Sequence, residues 1–283
     1  MFLACQSPGI TTVSTVASQA REGIAAVGIC DASFDEAAVT AAGWKKTFDE
    51  NFDTNLSKWN IWTGGAYNYE LQLYQAPNLQ LANGVLNIVA KAETVVGPTR
   101  PDLQTPSTFS FTSGRIESKT LVSANTTNPK VRISSRIKLA TGYGMWPAFW
   151  SYGDPWPTQG EIDILEARGH EPYNFSTNYF YGRKAGTALA GDFSRVITSD
   201  VSLTDCWHVY ELIWQKNSLT YLLDGQVVDT KTGGYVSNLF GKQEKITLNL
   251  AVGGLFFGNP PPTAGSIVTG TMQVDWVKVF VSK

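Results

Sequence analysis

Apolar and polar residues alternate along this chain in short runs broken by Gly, Pro and Asn, and no long stretch carries the i, i+3, i+4, i+7 spacing of an amphipathic helix. Val85–Ala90 alternates in part and follows the turn pair Asn83-Gly84. Lys130–Leu139 sets Val131, Ile133, Ile137 and Leu139 at mostly even spacing. His208–Trp214 and Leu219–Leu223 flank a short turn, and the second run ends at Asp224-Gly225, a hairpin signal into Gln226–Asp229. Lys245–Val252 and Thr271–Val281 complete the set. Short strands with frequent turn residues predict an all-β sandwich of two antiparallel sheets. Such a sandwich, when curved, leaves a concave outer face free for a long polymer.

Residues 6–43, rich in Ala, Ser, Thr, Val and Gly, show neither clean alternation nor a capped helical stripe. They read as a leader or linker, so residues 1–43 are set apart from one domain over 44–283. The start, Met1-Phe-Leu-Ala-Cys5, resembles the tail of a bacterial lipoprotein signal, which makes Cys5 a candidate lipid anchor and predicts an exported protein, secreted, outer-surface or periplasmic. No apolar run reaches the roughly 18 residues that a membrane span needs.

Composition narrows the partners. Charged residues are 16% of the 283, the net charge is -2, and no run of Lys or Arg occurs, which excludes phosphate-rich nucleic acid. Nine Trp is high for this length. Most suit a core rich in large side chains, and three or four suit a sugar cleft, because pyranose C–H faces pack flat on indole. The three cysteines, Cys5, Cys30 and Cys206, lack metal spacing. Cys206 reads as a buried thiol, with a Cys5–Cys30 bridge as an unsupported alternative.

The chemistry concentrates in Glu161-Ile-Asp163-Ile-Leu-Glu166. On a strand, Glu161 and Asp163 share a face by period two, while Ile162 and Ile164 face the core. Glu166 has the wrong parity, and one extra residue near Ile164-Leu165, a β-bulge, restores it. Like charges on one face raise each other's pKa. Retaining glycoside hydrolysis uses such an arrangement: an ionised nucleophile and a protonated acid about 5–5.5 Å apart. Glu161 is assigned as nucleophile, Glu166 as general acid/base, and Asp163 as the carboxyl that orients the nucleophile. A solvated acidic strand edge is the structural alternative.

This motif resembles the E-x-D-x-x-E signature of glycoside hydrolase family 16, in the bulged form of laminarinases, agarases, porphyranases and carrageenases. Flanking segments resemble the family in order: Asn68-Tyr-Glu70-Leu-Gln72-Leu-Tyr74, Thr112-Ser-Gly-Arg115-Ile, Met145-Trp146-Pro-Ala-Phe-Trp150, Trp207-His208-Val-Tyr210, Asn249-Leu-Ala-Val-Gly253-Gly254 and Val274-Asp275-Trp276. The resemblance implies a β-jelly roll with a concave cleft, retention of configuration and no cofactor for catalysis. It also implies sugar contacts from Asn68, Arg115, Trp146 and Trp150. A surface salt bridge is the competing role for Arg115, and a core position the competing one for Trp150. Ser176-Thr-Asn178-Tyr179-Phe lacks the cleft His of many laminarinases and is more similar to lichenases and fungal glucan–chitin transglycosylases, which adds Asn178 and Tyr179 as sugar or acid/base contacts. Glu50 and Asp275, with backbone oxygens, are the candidate ligands of the family's structural calcium, although Asp49-Glu50-Asn51-Phe52 has one residue more than the family's D-E-F.

The expected function is an endo-β-1,3(4)-glucanase acting as a monomer on a polysaccharide. The competing readings are a marine galactan hydrolase, a glucan transglycosylase using the same carboxylates, and a non-catalytic glucan-binding lectin. The two His residues offer no rival chemistry: His208 reads as structural and His170 as a loop residue beside Glu171.

Overall fold

The computed structural model describes residues 27–189 and 193–283. Candidate anchor Cys5 and leader residues 6–26 lie outside them. In chain order the strands are β1 (Lys45–Glu50), β2 (Trp59–Ile61), β3 (Gln72–Tyr74), β4 (Leu79–Ala82), β5 (Val85–Val89), β6 (Lys91–Arg100), β7 (Leu103–Ser113), β8 (Arg115–Val122) and β9 (Lys130–Lys138). They continue with β10 (Met145–Tyr152), β11 (Glu161–Glu166), β12 (Asn174–Phe180), β13 (Arg195–Thr198), β14 (His208–Gln215), β15 (Ser218–Leu223), β16 (Gln226–Thr232), β17 (Glu244–Val252) and β18 (Thr271–Ser282). Two short helices, α1 (Glu36–Ala41) and α2 (Val236–Leu239), accompany them.

One large sheet runs β16-β15-β14-β9-β18-β5-β4, with β1 also on β18, and the second runs β13-β12-β11-β10-β17-β8-β2. A third, small sheet, β3-β7-β6, includes the parallel pair β3–β7. The alternating runs became strands because each sheet buries one face. In β9, Val131, Ile133 and Ile137 turn inward and meet Leu212 and Trp214 of β14 and Val279 of β18. From the other sheet, Phe149, Ile162, Leu248 and Leu250 close the same core. Asn83-Gly84 and Asp224-Gly225 turn with positive φ at both residues, as two-residue hairpin loops require.

Residues 27–43, placed with the leader from sequence, pack on the outer face of the first sheet. Asp35 caps α1 by accepting from the Ala38 amide at 2.8 Å. Phe34 lies against Trp276 and Phe280, with ring centroids 5.1 and 5.8 Å away. Arg136 donates to the Ala32 carbonyl at 2.9 Å. Cys206 is not the free thiol expected: it forms a disulfide with Cys30, across 176 residues of sequence. The hydrogen bonds of Ile29 to Asp224 and of the Trp207 amide to Asp31 lay the early segment along the start of β14, which brings the two cysteines together. Closing so long a loop restricts the unfolded chain and is worth about 2–5 kcal/mol. Cys30→Ser and Cys206→Ser should each lower the melting temperature by about 5–15 °C. Differential scanning calorimetry checks this; an unchanged midpoint would show that the bond contributes nothing.

Candidate active site

The site is on the face of the β10–β11–β17 sheet turned away from the core. Its key local event is in β11. Phe149 pairs with Leu165 but Trp150 pairs with Asp163, so Ile164 is the extra residue. The cause is legible in the side chains: Ile164 and Leu165 are adjacent, apolar and both fully buried, and a regular strand would send one of them into solvent. With the bulge, Tyr152, Trp150 and Ala148 stand opposite Glu161, Asp163 and Glu166, and all three acids share one face. The partners of the outer two are four residues apart on β10, about 13 Å along the strand.

Each outer acid is held by an indole. Trp156 Nε1 donates to Glu161 Oε2 at 2.7 Å, and Trp146 Nε1 donates to Glu166 Oε1 at 3.0 Å. Asp163 lies deepest, 3% exposed, with Oδ2 buried and lacking a hydrogen-bond partner among the described residues. Burial pushes Glu161 up from 4.5 to about 8, with repulsion from Glu166 adding to it and the Trp156 N–H and Arg115 opposing it. Burial likewise carries Glu166 to about 7, against the pull of the Trp146 N–H and Arg168. Asp163 rises well above its ordinary value through burial and then through Glu161 and Glu166. The row therefore keeps at least one proton at neutral pH and is poised for proton transfer.

Around this row the indoles are oriented in turn. Trp146 stacks on Phe256, with centroids 4.6 Å apart and 14° between planes. The Arg168 guanidinium lies 4.3 Å from the Phe256 ring and donates to the Phe256 carbonyl. Trp150 Nε1 donates to Asn249 Oδ1 at 2.7 Å, Asn249 Nδ2 donates to the Tyr74 hydroxyl, and that hydroxyl donates to Glu70. Glu70, raised by burial to about 7, also accepts from Gln72. Beside Glu166 a depression is lined by Arg168, Glu171, Asn174, Ser176 and Phe256.

Sequence-derived positions fare unevenly. Trp146 and Trp150 are half-buried on the acid face. Asn178 pairs with Asp163 and shares that face. Tyr179 does not: it pairs with Ile162, is 1% exposed, and stacks on Phe193 in the interior, because adjacent strand residues point to opposite faces. Arg115 takes the salt-bridge role rather than that of an exposed sugar donor. Its guanidinium is buried, donates twice to Glu117 Oε1, and sits 4.0 Å from the Trp62 ring and 4.9 Å from Trp150. Asn68 stands exposed on the rim, its carbonyl accepting from Leu255 N.

Glu50 and Asp275, the candidate calcium ligands, each have a protein partner. Glu50 is buried and accepts from the Phe52 amide and Trp59 Nε1, whereas Asp275 binds Arg136 at 2.8 Å. Each carboxylate therefore serves a partner within the protein, and the described residues hold no group of three or more His, Cys, Asp or Glu suited to a metal. His208 is fully buried against Asp224, and His170 lies 3.8 Å from Glu171.

Trp156 and Phe256 were not identified from sequence, and Glu70 was read only as part of a family-like segment, with no role of its own. Trp156 had a weak signal, an indole between two prolines just before the acidic motif. Trp156→Phe removes the N–H that holds Glu161 down, so Glu161 should titrate higher. The acidic limb of kcat/KM against pH should then move to higher pH. An unmoved limb in a pH–rate profile would sever Trp156 from the ionisation of Glu161.

Comparison with known proteins bears on this geometry. Residues 83–278 match the model of glycosyl hydrolases family 16. The chain is 33% identical over 267 residues to a glucan endo-1,3-beta-glucosidase of Cryptopygus antarcticus, covering 85% of this chain and 93% of that protein. It is 31% identical to glucan endo-1,3-beta-glucosidase A1 of Niallia circulans, covering 84% of this chain and 37% of that longer protein. Among solved structures it is similar to the endo-beta-1,3-glucanase from Pyrococcus furiosus, with TM-score 0.70, 30% identity, and coverage of 85% of this chain and 95% of that one.

Proposed function

Because the chain belongs to glycosyl hydrolases family 16, we propose that it is a retaining endo-β-1,3(4)-glucanase whose catalytic carboxyls are Glu161, Asp163 and Glu166. The observation that carries this reading is the bulge that turns three acids onto one face, with an indole N–H on each outer glutamate. The relatives named for 1,3-β-glucan cleavage support the substrate class.

Glu161 and Glu166 share protons as one row, with Glu161 raised to about 8 and Glu166 to about 7, so the reacting form is the fraction in which Glu161 is ionised and Glu166 protonated. In the first step of that form the Glu161 carboxylate attacks the anomeric carbon, the bond to the leaving chain breaks, and Glu166 gives its proton to the departing oxygen. In the second, Glu166 takes a proton from water, the water oxygen bonds the anomeric carbon, and the carbon–Glu161 bond breaks. Two inversions leave the configuration retained. Asp163, raised by burial and by the two flanking glutamates, keeps its proton and so adds no further negative charge beside the Glu161 carboxylate. Trp146 floors the sugar next to the cut bond, its N–H fixing Glu166. Asn68 on the rim and Asn178 on the acid face hydrogen-bond sugar hydroxyls.

A sulfated galactan would require free cationic groups near the acids. Arg115 is committed to Glu117 and Arg168 to the Phe256 carbonyl, whereas Arg183 and Lys184 are exposed on the loop that packs against the Trp156 segment, so the galactans are kept as substrates in the test. The Cys30–Cys206 bond supports export to an oxidising compartment.

The test is incubation with laminarin, lichenan, agarose, porphyran and carrageenan, with products read by chromatography and the new reducing end by early NMR. Laminarin and mixed-linkage glucan should be cut internally to give a β reducing end first. Cleavage confined to galactans, or an α product, overturns the reading.

A further inference from the structure

The turn Tyr67–Glu70 lies on the groove rim, and its aromatic residues have no part in the mechanism above. The Glu70 amide donates to the Tyr67 carbonyl at 3.1 Å, closing a four-residue turn. Its central residues, Asn68 and Tyr69, have φ of 60° and 59°. Two successive positive φ values are the requirement of a type I′ turn, whose favoured pair is Asn then Gly. Asn68 meets that requirement. Tyr69 violates it, since a bulky side chain in the left-handed region is strained. Nor does packing compensate, because Tyr69 is 75% exposed. Folding alone gains nothing from an aromatic ring at this position.

The rim is continuous with the site. The Asn68 carbonyl accepts from Leu255 N at 2.9 Å, one residue before the Phe256 ring that stacks on Trp146. A Cβ on Gly254 would lie 3.0 Å from the Asn68 carbonyl oxygen and 3.3 Å from Trp146 Cζ3, so the turn, Gly254 and Trp146 meet without a gap. Tyr67, 48% exposed, has the Arg100 guanidinium 4.9 Å from its ring. The β6–β7 hairpin that carries Arg100 is tied to the turn's approach by the bond from Gly65 N to the Pro98 carbonyl. One ring is thus braced by the hairpin, and the next is presented to solvent on strained backbone.

We infer that Tyr69, with Tyr67 beside it, is a stacking platform extending the groove past Trp146, and that it takes a glucosyl residue of the same chain beyond the cleaved bond. The inference rests on the glucan reading above. An exposed phenol ring offers a flat apolar face to pyranose C–H groups at small conformational cost.

The test is made in a Glu161→Gln background, so that binding is measured without turnover, using laminarin titrated by calorimetry. Adding Tyr69→Asn should weaken laminarin binding about five- to ten-fold while raising the melting temperature by about 2–4 °C, because Asn tolerates the positive φ. Tyr69→Phe should keep the affinity within about two-fold, since the ring and not the hydroxyl makes the contact. Unchanged laminarin affinity in Tyr69→Asn overturns the platform. Failure of the Glu161→Gln parent to bind any β-1,3-glucan overturns the glucan reading itself and the platform with it.

Discussion

Glu161→Gln is expected to cut kcat on laminarin by about 10⁴-fold or more while laminarin still binds. The amide is nearly the size of the carboxyl, and its oxygen can still accept from Trp156 Nε1, so the groove keeps its shape. What is lost is the charged oxygen that bonds the anomeric carbon, and removal of a covalent nucleophile leaves only the residual rate from binding and the remaining groups. The same substitution has a stability signature of opposite sense. A carboxyl raised from 4.5 to about 8 keeps its proton in the folded chain where the unfolded chain has released it. Its contribution is full below about pH 4.5 and is lost as pH rises through about 8. The substituted amide cannot ionise and loses nothing over that window. The melting temperatures of variant and parent should therefore be similar near pH 4.5 and separate near pH 8, with the variant higher. Turnover retained at even a tenth of the parent rate would remove Glu161 from the nucleophile's role.

The parts of this architecture that are legible in sequence are those determined over a few residues. Asn83-Gly84 and Asp224-Gly225 set their hairpins because only such pairs take two positive φ values cheaply. The bulge in β11 was readable because Ile164 and Leu165 are adjacent and apolar while Glu161, Asp163 and Glu166 demand a common outer face. Tyr179 shows the same logic misapplied. Once Asn178 is placed beside Asp163, strand parity sends its neighbour inward, so the two were never able to serve the groove together. Glu50 and Asp275 show a different limit: their partners, Trp59 and Arg136, are brought near only by the assembled sheets.

What escaped the sequence is non-local. Cys30 and Cys206 are 176 residues apart, and nothing in either segment announces the other. Trp156 reaches Glu161 through a loop whose path no periodicity describes. The relay from Trp150 through Asn249 and Tyr74 to Glu70 draws on three separate stretches of chain. Arg115 lies in a recognisable segment, yet its burial beneath Trp62 and Trp150 depends on how the neighbouring strands of the sheet bring those rings over it. Tyr69 was visible in sequence but unremarkable until its φ was known.

Glu166→Ala should separate the two chemical steps, and it distinguishes the two glutamates where their shared burial does not. On laminarin, whose leaving group is a sugar hydroxyl, bond cleavage needs the proton that Glu166 supplies, and the rate should fall by about 10²–10⁴-fold. A β-glucoside carrying an activated aryl leaving group needs no such proton, so the bond to Glu161 should still form. The glycosyl-enzyme then persists, because water has lost the base that deprotonates it. Azide, a nucleophile with no proton to lose, fits the space vacated by the side chain. It should bond the anomeric carbon as the carbon–Glu161 bond breaks, restoring turnover and yielding a β-glycosyl azide detectable by NMR and mass spectrometry. The Trp146 N–H, left without its carboxylate partner, remains stacked on Phe256, so the sugar floor should survive the substitution. An α-glycosyl azide, or rescue in Glu161→Ala instead of Glu166→Ala, would exchange the two roles.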